Sequence, residues 1–166
     1  MLKKVASTLL IAMVAVVAHA DLFVFRANLT TGQEIQTPRV TTRAFGVGRL
    51  KVYTDKNGRM YYEGFLEARK LSGPPTGFHI HRAAAGSNGP VVVDFFDQFV
   101  RTVDLGKGNR NIYVKGQLLD RIVGGEIVTR FQILDALRAG NGYFNVHNAS
   151  FPAGETRGQL VEVTAS

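Results

Sequence analysis

Two short stretches hold the residues best suited to chemistry, His79-Ile80-His81 and Asn145-Val146-His147. In a strand, residues i and i+2 project from the same face, so His79 and His81 stand together about 7 Å apart at Cα while Phe78 and Ile80 point the other way. The second stretch obeys the same rule, with Phe144 and Val146 on one face and Tyr143, Asn145 and His147 on the other. If both apolar sets enter one core and the two strands are neighbours, all three imidazoles meet on the outer surface of one sheet. Two imidazoles from one strand and a third from another make a three-nitrogen metal site with open positions, suited to copper first and zinc second. Ordinary surface histidines that only hydrogen-bond satisfy the same pattern, and adjacency decides between the two readings. A ligating histidine also needs its second ring nitrogen oriented by a carboxylate or carbonyl, for which Glu34, Asp94 and Glu155 are candidates.

The rest of the composition narrows the alternatives. The chain has 166 residues and no cysteine, so thiolate metal sites, disulfides, thiol nucleophiles and a lipidated cysteine anchor are all excluded. No serine has a spacing that assigns it a histidine base. The formal charge is +7, but the cations are scattered singly along the sequence without an interleaved aromatic stripe, which points away from nucleic acid and toward solubility or weak attraction to anionic envelope polymers.

The first twenty residues read as a signal peptide. Lys3 and Lys4 begin it, Val5 to Val17 is apolar apart from Ser7 and Thr8, and Ala18-His19-Ala20 has the small-x-small pattern of a cleavage site. The run is shorter than the ~20 residues a bilayer span needs, so no membrane span is expected after cleavage. Residues 21–166 then form a single exported domain, periplasmic or secreted, in which three of the four histidines survive.

The positioning elements are predicted to be short strands separated by glycine-rich turns. Leu22 to Leu29, Arg43 to Tyr53, Met60 to Ala68, Phe78 to Ala84, Val91 to Phe96, Asn111 to Leu119, Tyr143 to His147 and Gly158 to Thr164 fit this description. Asn57-Gly58 suggests a type I′ hairpin turn, with Leu50 and Phe65 paired on one face and Leu66 on the other. Residues 72–77 and 85–90 read as loops and 97–110 as an irregular connection, and the stretch Phe95 to Arg110 could serve as a recognition loop. One helix is predicted over Thr129 to Arg138, with Phe131, Ile133, Leu134 and Leu137 at helical spacing and Gly140 at its stop. Gly46-x-Gly48 reads as a strand kink. Asn28-Leu29-Thr30 and Asn148-Ala149-Ser150 match the glycosylation acceptor pattern. Seven or eight strands at this spacing imply an all-β immunoglobulin-like Greek-key sandwich or barrel with one connecting helix. On a strand start, Glu155 and Arg157 share a face, either as a solvated pair or as support for the histidines.

Beyond single motifs, the order Gly32-Gln33-Glu34-Ile35, Thr42 to Gly48, Gly77 to His81, Gly89 to Val92, Tyr143 to His147 and Pro152 to Leu160 resembles the CHRD domain, named after chordin and found in many exported bacterial proteins. The resemblance implies an immunoglobulin-like barrel similar to that of the copper/zinc superoxide dismutases. By motif, His79 and His81 look like the copper-binding His-x-His pair of those enzymes, His147 like a further copper ligand, and Arg157 like the arginine that draws in superoxide. The chain departs from them in lacking a bridging histidine, the zinc ligands and a disulfide. Three functions follow as expectations: a non-catalytic extracytoplasmic module for a protein or envelope polymer, a copper protein for storage or delivery, and, as the single enzymatic reading, a dismutase-like redox enzyme.

Overall fold

The structure, a computed structural model, describes residues 21–164; the signal-peptide reading lies outside the described residues. Strands β1 (Leu22–Thr30), β2 (Phe45–Thr54), β3 (Met60–Arg69), β4 (Pro75–Arg82), β5 (Val91–Asp94), β6 (Phe99–Gly106) and β7 (Asn109–Gln117) come first. After the small hairpin of β8 (Arg121–Val123) and β9 (Glu126–Val128) follow helix α1 (Arg130–Arg138) and strands β10 (Gly142–Asn148), β11 (Phe151–Gln159) and β12 (Val161–Val163). Ten strands form one antiparallel sheet ordered β5-β4-β10-β11-β1-β2-β3-β7-β6, with β12 also pairing β1. The sheet curls into a half-barrel, in keeping with the expected all-β class.

Alternation decides which face turns inward. In β2, Gly46, Gly48, Leu50 and Val52 are buried while Phe45, Val47, Arg49 and Lys51 face water. The curl brings distant strands over one core: the Phe95 ring meets Tyr62 at 5.2 Å, Phe78 at 4.7 Å and Phe144 at 6.0 Å. Burial of each such ring contributes roughly 1.5–3 kcal/mol. Gly48 serves this packing, since a Cβ there would stand 2.6 Å from the Phe144 ring, while a Cβ on Gly46 would stand 2.8 Å from the Glu67 carbonyl oxygen of the neighbouring strand.

Several local expectations change. The Asn57-Gly58 turn has only Gly58 at positive φ, and Asp55 Oδ1 holds it by accepting from the amides of Asn57 and Arg59. A type I′ pair, with both central residues at positive φ, occurs instead at Lys107-Gly108, between Gly106 and Asn109. Residues 97–110 are therefore mostly strand β6 and its hairpin into β7. The register sets Leu50 opposite Gly64 and Phe65 opposite Arg49, so Leu50 and Leu66 share the core face and Phe65 does not. Residues 75–77 join β4 rather than a loop, and the last predicted strand divides between β11 and β12.

Helix α1 forms where predicted, with Thr129 and Gln132 making a reciprocal capping box. Ile133, Leu134 and Leu137 are buried, whereas Phe131 faces out and stacks with Arg130. No helix among the described residues is long and apolar enough to cross a membrane.

Candidate metal centre

Strands β4 and β10 are direct neighbours. Their register sets His79 opposite Asn145, His81 opposite Tyr143 and His147 opposite Gly77. Because Phe78, Ile80, Phe144 and Val146 fill the core, the three imidazoles share the opposite face. Ring centroids lie 4.7 Å apart for His79 and His147, 5.7 Å for His79 and His81, and 5.9 Å for His81 and His147. One nitrogen from each ring lies within 4.8 Å of the other two. Metal–nitrogen bonds of about 2.0–2.1 Å set tetrahedral ligand atoms about 3.4 Å apart, so modest ring rotations close the site.

The second ring nitrogens are held in place. His81 Nδ1 lies 2.9 Å from the carbonyl oxygen of Gly89, and His147 Nδ1 lies 3.0 Å from that of Pro152. A carbonyl only accepts, so each Nδ1 carries the proton and each Nε2 presents a lone pair. On His79 it is Nε2 that faces an acceptor, Asp94 Oδ2, at the longer distance of 3.4 Å; a proton held on that side leaves the lone pair on Nδ1. Those three lone-pair atoms, His79 Nδ1, His81 Nε2 and His147 Nε2, are buried and lack a hydrogen-bond partner among the described residues. Buried polar atoms are rarely left unpaired, and three converging on one point match the requirement of a cation.

Burial lowers the pKa of all three imidazoles. For His79 it outweighs the opposing charge of Asp94 and, with His147, His81 and Arg121 nearby, brings the pKa to about 4. For His81 and His147 burial again leads, against the hydrogen bonds to Gly89 and Pro152. The cluster is thus neutral at physiological pH, the form in which imidazole ligates a metal. Gly77 makes room for it, because a Cβ there would stand 2.9 Å from His79 Cε1.

Tyr143 and Gly89 belong to the support of this site, a role the sequence reading gave to neither. The Tyr143 ring stacks on His81 at 4.9 Å and 7°, and its hydroxyl accepts from the Gly89 amide at 3.3 Å. From the β11 side, Arg157 lies over Tyr143 with Cζ 3.4 Å from the ring centroid. The guanidinium donates to Asn88 Oδ1 at 3.1 Å, Ser87 O at 2.8 Å and Ala84 O at 3.4 Å, pinning the loop that carries Gly89. Strand period places Tyr143 on the histidine face, but its stacking on His81 and its bond to Gly89 depend on the β4–β10 register and the 84–89 loop.

The carboxylate candidates separate. Asp94 touches the cluster, whereas Glu34 and Glu155 do not bond to it. Glu34 packs beside Asn145 and Gly154, where burial, against the Arg157 charge and Asn145, pushes its pKa up to about 7. Glu155 accepts from the Ser72 amide at 3.0 Å and from Asn148 Nδ2. The solvated-pair reading fails, since Glu155 is 0% and Arg157 2% exposed and each has its own partners. Asn148 is also fully buried, with Oδ1 accepting from the amides of Ser150 and Phe151, so it is not available as a glycan acceptor.

Comparison with curated proteins and with solved structures gave no match. A family model for the CHRD domain matches residues 25–160, a span that includes all three clustered histidines and nearly every strand of the sheet, and the chain belongs to the CHRD domain family.

Proposed function

We propose that this protein is an exported, non-catalytic CHRD module built around a three-histidine metal site that takes copper, with zinc as second choice. The observation that carries the reading is the clustering of three buried imidazole nitrogens that have no hydrogen-bond partner among the described residues, with the opposite ring nitrogens bonded to the Gly89 and Pro152 carbonyls on two rings and facing Asp94 on the third. His79, His81 and His147 would hold the ion. Imidazole suits copper and zinc alike, and the general affinity order of divalent metals places copper(II) above zinc. A bound ion would supply Lewis acidity or one-electron chemistry. The chain's own residues keep the imidazoles neutral, set their tautomers and limit water.

Calorimetric titration of the protein with copper(II) and zinc(II), in parallel with the His79→Ala/His81→Ala double variant, tests this. One-to-one copper binding that the variant loses supports the site; no binding, or equal binding by both, removes it. Storage or delivery is the second reading, favoured by the partial exposure of His79 and Asp94, which leaves the ion a route in and out. Superoxide turnover by the copper-loaded protein would move the reading to a redox enzyme.

A further inference from the structure

The cations that are scattered in sequence assemble on the outer face of the other half of the sheet. Cross-strand register lines up Arg26, Arg49, Phe65, Tyr113 and Arg101 as one row over β1, β2, β3, β7 and β6. The next row reads Val24, Lys51, Glu63, Lys115 and Phe99. Arg26, Arg49, Lys51, Arg101 and Lys115 are exposed, and none forms an ion pair among the described residues. Glu63 is the one acid in these two rows, and Glu67 in the adjoining row is already paired with Arg69 at 3.0 Å.

We infer that this face binds a linear acidic polysaccharide. Five cations against the single acid Glu63, which lies between Lys51 and Lys115, leave an excess of positive charge that calls for an anion, and five adjacent strands span about 19 Å, far beyond a single small anion but matched by a chain of several charged units. The aromatic rings between the cations decide among polyanions. Arg101 lies over Tyr113 at 4.8 Å, Lys115 lies over Phe99 at 5.0 Å, and the Phe65 ring packs against Tyr113 at 4.8 Å, so these rings are engaged with the cations or with each other rather than standing free to stack bases, as a single-stranded nucleic acid site requires. The strand period also holds the charges in fixed rows, which reads charge spacing along a polymer.

The face is separate from the histidine cluster and does not depend on the metal reading. Its test is binding of the protein to dextran sulfate and polygalacturonate at several salt concentrations, beside a single-stranded oligonucleotide and anionic phosphatidylserine vesicles. The variant is Arg49→Gln/Arg101→Gln. Its control, Arg130→Gln/Arg138→Gln, removes the same charge from the helix. Salt-sensitive binding to either acidic glycan, weakened at least tenfold in the first variant and within twofold in the control, is the expected result. Stronger binding to the oligonucleotide or the vesicles, equal loss in both variants, or no glycan binding at low salt would overturn it. Thermal melting of both variants guards against misfolding as the cause of a loss.

Discussion

Across β4, β10 and β11 the outer face of the sheet is roofed, whereas across β2, β3, β7 and β6 it lies open to water. The roof comes from the 34–36 segment and the 84–89 loop, tied down by Gln36 to the Gly154 carbonyl, Asn88 to the Ile35 carbonyl, and Arg157 to Ser87. Under it, titratable groups lose solvation: imidazoles stay neutral and Glu34 holds its proton to about pH 7. On the open half, arginines and lysines keep their hydration and their charge. The same strand alternation thus produces a half-buried, neutral histidine cluster in one place and a wet, charged surface in the other, and the difference is whether a loop crosses above.

The comparison breaks most sharply at the ligands. His81→Ala is expected to lower copper affinity by more than any support residue, with far-ultraviolet circular dichroism unchanged because the ring lies off the core. Asp94→Asn should cost about 10–100-fold in affinity, the usual weight of an outer-shell partner, measured by the same calorimetry. Gly77→Ala is expected to act in the same direction by displacing the His79 ring while β4 remains paired with β10.

Stability tests sharpen the contrast. Arg157→Met removes three hydrogen bonds of the roof and should lower the free energy of unfolding by about 1–3 kcal/mol in denaturant melts. It should also weaken metal binding, because the loop positions Gly89 against His81. In the metal-free protein, stability should fall as pH drops from 6.5 toward 4, since the unfolded chain takes up protons that the folded His79 refuses. Glu34 acts with the opposite sign: its pKa is raised from 4.5 to about 7, so its contribution is complete below 4.5 and is lost as pH rises through 7. Glu34→Gln should therefore steepen the acid-side loss, read as denaturation midpoints between pH 4.5 and 7. The smallest effect belongs to the open half, where Arg49→Gln/Arg101→Gln should shift stability by no more than about 0.5 kcal/mol.

Much of this was legible beforehand. Strand period alone put His79 and His81 on one face of their strand and His147 on the face opposite Phe144 and Val146, while the pairing of β4 with β10 brought the three together; Thr129 to Arg138 announced a helix by its spacing and its stop at Gly140. Asp94 was one of three carboxylates that residue type could not rank; pairing of β5 with β4 set it opposite His79. Arg157 was visible as a charge, but its burial depends on Tyr143 and the 84–89 loop, which are distant in sequence. The 97–110 stretch looked irregular because β6 is an exposed edge strand, with too little apolar alternation to reveal it.

Local chemistry determined the strand-forming segments, the absence of thiol chemistry and the pairing of histidines by face, because side-chain parity is a property of each strand by itself. Tertiary structure decided which strands became neighbours, which loop closed over them and which cations met across the sheet. Those outcomes depend on the curl that buries Phe95 against Tyr62, Phe78 and Phe144, a long-range packing solution that no single stretch of sequence contains.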